Sequence, residues 1–294
     1  MILVVGLSSV WQRTLFYQNF QPGRVNRAAR VIETASGKGV NVARVATTLG
    51  ERVLVLTTAG GHRGRLFRAA LRASALPARV VPVAGETRLC QTLIGPGSVT
   101  ELVEETPALS LREISAVLSA YTRALPKASM VVLSGTVPKG GGDDFYAKLA
   151  RLAKARGIPV FVDTQKAQLL HVVREQPAVV KINAAELAEA TGTRSLVKGI
   201  RELSRRGARK IVISRGADPA IAFDGKSSWQ VKPPCIEVVN PIGSGDAMMA
   251  GLAVGLVRGK SLLEALRLGI ACGAANALTD TSGVIRPGDV KKLI

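Results

Sequence analysis

Aromatic residues make up only 4% of this 294-residue chain, too few for the stacking platforms with which proteins hold single-stranded nucleic acid. No RNP-like, zinc-finger or basic-zipper pattern is present either. Nucleic acid is therefore not expected as a partner, although 40 basic residues against 21 acidic ones give a formal net charge of +19. Arg65, Arg68 and Arg72 on one helical face, and Arg201, Arg205, Arg206, Arg209 and Lys210, read as solvated helix faces whose field also draws in polyphosphate substrates. Cysteine is scarce: Cys90, Cys235 and Cys272 are widely separated and form no CxxC pair, which excludes a disulfide framework and a zinc site of the usual spacing. No apolar run reaches the ~18 residues of a membrane span, so no membrane partner is expected. The opening Met1–Gly6 lacks the charged n-region of a signal peptide and reads as a buried strand. The cytoplasm is the expected compartment.

Apolar residues are plentiful, at 47% with a mean hydropathy of +0.23, enough to bury the core of one large α/β domain over residues 1–294. From about residue 129 onward, short β-branched runs alternate with helical-period segments, the pattern of βα units around a mainly parallel central sheet. Ser129–Gly135, Ile158–Thr164, Ala178–Asn183 and Lys210–Ser214 are near-continuous apolar runs, as strands covered on both faces must be. Between them, Ser110 and Glu113 form a capping box for a helix carrying Ile114, Val117, Leu118, Tyr121 and Leu125 on one face. The first hundred residues read differently. Thr14–Phe20 with Ala28–Thr34, and Leu89–Gly95 with Ser98–Glu104, predict two antiparallel hairpins forming a small β-sheet lid over about 10–35 and 88–105.

Four constellations carry chemistry. In Gly243-Ser244-Gly245-Asp246, two glycines let the backbone turn tightly into the apolar helix that follows, so amide N–H groups and the positive end of the helix dipole face one small volume. An anion belongs there, and Asp246 beside it can take a proton from a substrate hydroxyl while charge builds on a transferring phosphoryl group. Gly37, Lys38, Gly39 and Asn41 open a second helix with a geometry suited to a phosphate-bearing or hydroxyl-rich ligand. Lys181, Asn183 and Glu186 end a strand and begin a helix, which suits either a hydrated magnesium ion or a plain capping box. Ser214 and Gly216 stand in a turn that can approach a polyphosphate chain. The last three stand at the ends of successive strands, where open α/β sheets bind ligands.

With these residues in place, the chain resembles the ribokinase-like PfkB carbohydrate kinases, in particular the phosphosugar branch of 1-phosphofructokinases and tagatose-6-phosphate kinases. The resemblance spans nearly the whole length. It rests on Val25-Asn26-Arg27-Ala28, Gly37–Arg44, Gly60-Gly61, Thr87-Arg88, Thr100-Glu101-Leu102, Leu133–Pro138, Asn183 with Glu186, and the GSGD loop. It implies a three-layer α/β/α sandwich, ATP and Mg2+ as cofactors, and a small-molecule sugar phosphate as substrate. Asp246 would be the catalytic base, with the amides of Gly243, Ser244 and Gly245 as anion hole. Asn183 and Glu186 would lie near magnesium, Lys181, Asn183, Ser214 and Gly216 near ATP phosphates, and the helix of Ala274 and Asn276 near adenine. Gly37, Lys38, Gly39, Asn41 and Arg88 would hold the sugar phosphate, with Arg27 contributed by the lid. A homodimer through the lid is a further expectation.

The chain also departs from the family pattern. Ser8-Ser9-Val10-Trp11-Gln12 stands where the phosphosugar branch has Asn-Pro-Ala-Ile-Asp, so Gln12 replaces a carboxylate that grips sugar hydroxyls. Pro219 replaces a glycine in the turn after Ser214 and removes an N–H. Gln165-Lys166-Ala167-Gln168 replaces a Ser-Gly-Glu-Ala stretch, and Ser36 a common glycine. A kinase for an unphosphorylated sugar or nucleoside, and a catalytically silent sugar-phosphate sensor, are the competing readings. Arg88 and Lys38, a guanidinium and an ammonium expected to converge on one site, argue against the first, and Asp246 with its two glycines against the second.

Overall fold

The computed structural model describes residues 1–294 and contains thirteen strands in two sheets. The larger sheet comprises β1 (Ile2–Val5), β4 (Val53–Ala59), β5 (Ala78–Pro82), β8 (Met130–Ser134), β9 (Val160–Asp163), β10 (Val179–Asn183), β11 (Ile211–Arg215), β12 (Asp218–Phe223) and β13 (Ser228–Val231). Their spatial order is β13-β12-β11-β10-β9-β8-β1-β4-β5. From β11 to β5 all neighbours are parallel, while β12 and β13 add an antiparallel edge.

The three-layer arrangement follows from the period of two along each strand. Ile2 and Val4 of β1, Met130 and Val132 of β8, and Val212 of β11 join one core with α1 (Lys38–Thr48), α2 (Gly61–Ala73), α8 (Ser244–Val257), α9 (Leu262–Ala277) and α10 (Pro287–Leu293). Their neighbours Leu3, Val5, Val131, Leu133, Ile211 and Ile213 point the other way. They join a second core with α3 (Leu111–Ala124), α4 (Phe145–Lys154), α5 (Lys166–Val173), α6 (Ala184–Thr191) and α7 (Leu196–Arg206). Both faces of the sheet are covered, which is why the strands read as continuous apolar runs.

The smaller sheet holds β2 (Val10–Phe16), β3 (Arg30–Ser36), β6 (Arg88–Gly95) and β7 (Ser98–Val103) in the order β3-β2-β6-β7. Its first hairpin corrects the sequence reading, which set the strands at 14–20 and 28–34. Tyr17 and Phe20 leave the ladder and pack against each other with ring centroids 5.3 Å apart. Asn26 then closes the loop, accepting from Gln21 N and donating to Gln21 O, both at 2.8 Å. The β12–β13 hairpin was not anticipated. Asp224 makes its turn, accepting from the amides of Lys226 and Ser227.

Candidate active site

The parallel strands end on one side of the sheet, and the polar residues named above collect there. At the start of α8, Gly243 has φ +85°, and a Cβ there would lie 2.8 Å from Gly283 N and 2.9 Å from Ser282 Cβ. Only glycine fits this turn. The helix geometry leaves the N–H groups of Gly245 and Asp246 without intrahelical acceptors, aimed out of the first turn. Behind them α8 is buried on all sides. It lies against α9 closely enough that a Cβ on Gly251 would sit 2.8 Å from Gly269 Cα, and one on Gly255 2.8 Å from Ala265 Cα. This close contact fixes the loop in depth as well as direction.

Asp246 is 7% exposed. Burial pushes its carboxyl up to about 6 against the pull of Lys38, and Asn41 Nδ2 donates to Asp246 Oδ2 at 2.8 Å. Asn41 is held in turn by Ser36 Oγ, which donates to Asn41 Oδ1 at 3.0 Å and also meets Ser282 Oγ at 3.1 Å. Arg44 donates to Ala35 O at 2.6 Å and Ser282 O at 3.1 Å, and tightens the same corner. Burial brings the Arg44 guanidinium down to about 10. The result is a carboxylate with one oxygen oriented by an amide donor, in a site drier than water and next to unpaired backbone N–H groups. Such a group can accept a proton near neutral pH.

Beside it lies an ionic cluster that sequence reasoning only partly found. Lys38 Nζ contacts Asp163 Oδ1 at 3.2 Å and Glu186 Oε1 at 3.4 Å. Lys181 Nζ donates to Asp163 Oδ2 at 2.7 Å. Burial alone would raise the Asp163 carboxyl, but Lys181 and Lys38 together hold it below the usual range. The attraction of Asp163 raises Lys38 above the ordinary lysine value despite burial, so its charge is permanent. Lys181 also borders the loop, since a Cβ on Gly245 would meet its Nζ at 3.1 Å. Of the two readings of Asn183 and Glu186, the capping box is the one the side chains form. Asn183 Oδ1 accepts from Glu186 N at 2.8 Å and Glu186 Oε2 from Asn183 N at 2.9 Å, a complete capping box. Glu186 Oε1 is left to face Lys38.

Other residues named from the sequence stand elsewhere or are otherwise engaged. Lys38 does not join Arg88: its partners are the two carboxylates, whereas Arg88 Nη1 donates to Glu104 O at 3.2 Å at the start of β6 in the small sheet. Arg27 is exposed in the loop between β2 and β3. Gln12 is 5% exposed, and its Nε2 donates to Thr92 Oγ1 at 2.9 Å and Arg13 O at 3.4 Å, which leaves Oε1 as its free acceptor. Asn276 corrects the expectation of an adenine contact. It is fully buried and donates to Ile242 O at 2.9 Å and Ser244 Oγ at 3.3 Å. Its Oδ1 accepts from Gly283 N at 2.7 Å, so it is a strut between α9 and the GSGD loop. Ala274 is buried in the same helix. Gly37, with φ +114°, lies against the β1–β2 connection, where a Cβ would meet Ser8 O at 2.8 Å, and Gly39 backs onto Gly6 just after the first strand.

A cavity of about 450 Å3 opens between the β11–β12 turn and the start of α6. Asn183, Ser214 and Gly216 line it, together with Ala184, Ala185, Leu196, Asp218 and two arginines, Arg194 and Arg215. Arg194 escaped sequence reasoning because it sits in the short loop between α6 and α7, outside the four motifs. Asp163 was legible only as the polar end of an apolar strand.

Comparison with known proteins agrees with this layout. Residues 1–285 match the profile of the pfkB family carbohydrate kinases. A tagatose-6-phosphate kinase of Staphylococcus epidermidis is 31% identical over 97% of this chain and 94% of its own. Among solved structures, phosphofructokinase-2 of Escherichia coli in complex with substrates and products superposes with a TM-score of 0.89 at 23% identity, covering 99% of this chain and 97% of that one. Its tetrameric inhibited form gives 0.88 at 24% identity with the same coverage. The buried carboxylate at a glycine-formed helix start, in a three-layer α/β/α sandwich with a second small sheet, is therefore that of a kinase, and the chain belongs to the pfkB family of carbohydrate kinases.

Proposed function

We propose that this kinase transfers the γ-phosphoryl group of ATP to a primary hydroxyl of a sugar phosphate of the fructose 1-phosphate or tagatose 6-phosphate type. The observation that carries the reading is Asp246: buried, raised to about 6 by that burial, and oriented by Asn41 at the N-terminus of α8. In the reaction the hydroxyl proton passes to Asp246 while its oxygen bonds to the γ-phosphorus. The bond from that phosphorus to the bridging oxygen of ATP breaks, leaving ADP and a bisphosphorylated sugar. The Gly245 and Asp246 amides and the Lys38 ammonium receive the charge on the equatorial oxygens. Arg88, on the sugar side, takes the nonreacting phosphate by charge-assisted hydrogen bonds. Asn183, Ser214 and Gly216 lie along the nucleotide phosphates.

The donor set suits magnesium carried in on the nucleotide. Both Asp163 oxygens are engaged by lysines and one Glu186 oxygen by the Asn183 amide, so no three-carboxylate cage exists. Magnesium keeps several waters and takes one or two carboxylates plus phosphates. Glu186 and Asn183 would hold it, where it would neutralise phosphate charge.

No helix is long and apolar enough to cross a membrane, and the three cysteines are unpaired, as suits a reducing cytoplasm. The lid strand β7 is exposed along its whole length, with Leu102 50% and Val103 55% exposed. Such an edge supports pairing of two copies through the lid.

Gln12 bears on the choice of sugar. With its amide donors on Thr92 and Arg13, it offers a single neutral acceptor where a carboxylate would take two hydroxyls. ADP release measured over a panel of sugar phosphates and unphosphorylated sugars tests the proposal. A phosphorylated sugar is expected as best substrate, with weaker turnover of fructose 1-phosphate and tagatose 6-phosphate that Gln12→Asp improves. Preference for a neutral sugar would overturn the substrate class.

A further inference from the structure

The nucleotide cavity carries more positive charge than its backbone turn requires. Gly216, at φ +64°, lets β11 reverse into β12, and a Cβ placed there meets nothing within 4 Å, so the turn faces open space. Pro219 follows at the second position of β12 and has no N–H to offer. Arg215 reaches across this turn, its Nη1 donating to Pro219 O at 3.3 Å and its Nη2 lying 3.5 Å from Asp218 Oδ2. Both contacts are long, and the guanidinium has five donors. Arg194, from the loop between α6 and α7, lines the same cavity with no hydrogen-bond or ion-pair partner in the protein. Asp218 is the sole carboxylate on the cavity wall, and it is already opposite Arg215. Two guanidinium groups with unused donors around a polar hollow fit an anion with several oxygens, because their fork geometry matches phosphate.

We propose that Arg215 and Arg194 grip the phosphate chain of the nucleotide, supplying from side chains the hydrogen bonds that Pro219 withholds from the backbone. This rests on the reading of the cavity as the nucleotide site. Arg215 is preset over the turn by its contacts to Pro219 and Asp218, whereas Arg194 is free to close on the ligand from the opposite wall. Nucleotide affinity in this chain then depends on charge more than on base contacts, and it weakens with salt.

Steady-state kinetics and competition by inorganic tripolyphosphate and by adenosine test the proposal on the full-length protein. Arg194→Ala with Arg215→Leu is expected to raise the KM for ATP about tenfold or more, the scale of a lost charge-assisted hydrogen bond. Inhibition by tripolyphosphate should weaken in parallel while inhibition by adenosine holds. Arg194→Ala alone, at an exposed position, and Arg215→Lys keep the test valid if the double variant folds poorly, and each should give an intermediate KM. An unchanged KM for ATP, or equal losses for adenosine and tripolyphosphate, would overturn the assignment. Ala185→Trp fills the cavity and separates the two levels. If it abolishes ATP binding while the arginine variants do nothing, the arginine assignment alone fails. If ATP binding survives it, the nucleotide lies elsewhere and both readings fall.

Discussion

Asp246, the proposed base, is distinguished by its burial. Its carboxyl is raised to about 6 mainly by desolvation, so kcat/KM should be flat above about pH 7 and fall tenfold per pH unit below about 6. A pH–rate profile of the kinase reaction checks this, and a break near the ordinary aspartate value would mean the base is solvated. The same shift acts on folding with a definite sign. A carboxyl whose native value lies above its unfolded one binds its proton more tightly when folded, so its contribution is full below 3.8 and is lost as pH rises through about 6. Asp246→Asn should therefore gain stability relative to the wild type between pH 4 and pH 8, by on the order of 2–3 kcal/mol, as read by denaturant unfolding at both. The loop was legible in the sequence because glycine is the one residue that can sit at Gly243, and that need shows as a motif. The Lys38 partners were not legible, since Asp163 and Glu186 lie more than a hundred residues away in sequence. The bonds of Asn276 to the GSGD loop were not legible either, because a polar residue on an apolar helix looks the same whether it faces a ligand or braces a turn.

Among the elements, the parallel strands from β8 to β11 were readable because burial on both faces demands uninterrupted apolar runs. The lid strands are one-sided, and nothing in their alternation says where β2 ends. Tyr17 and Phe20 look like strand residues but stack in a loop. Helix α5 records a different conflict. Lys166 adopts φ +56° at the first position of the helix. Its ion pair with Glu189 is long, at 3.5 Å, and largely exposed, so it offsets little of the backbone cost. Lys166→Gly should raise stability by about 0.5–1 kcal/mol, the left-handed penalty less the added chain entropy of glycine. Equilibrium unfolding decides this, with Lys166→Ala as the control that keeps the strain. Equal stabilities for the two variants would contradict it.

At the scale of the whole molecule, one side of a seven-strand parallel run gathers residues far apart in sequence, and the small sheet is tied to that side. Ser36 of β3 meets Ser282 and Asn41, and Arg30 pairs with Asp280 at 2.7 Å while stacking over Phe16. These contacts join the small sheet to the loop that backs Gly243. The net charge of +19 is spread over this surface and favours polyanionic substrates without specifying them. What unites these features is the claim that Asp246 removes the proton of a sugar hydroxyl during phosphoryl transfer. The most direct test is single-turnover phosphorylation of the best sugar phosphate by Asp246→Asn, with ATP binding measured alongside. The account predicts a loss of at least ~100-fold in rate, the scale of a general base, with ATP affinity unchanged. A variant that keeps more than about a tenth of the wild-type rate would contradict it.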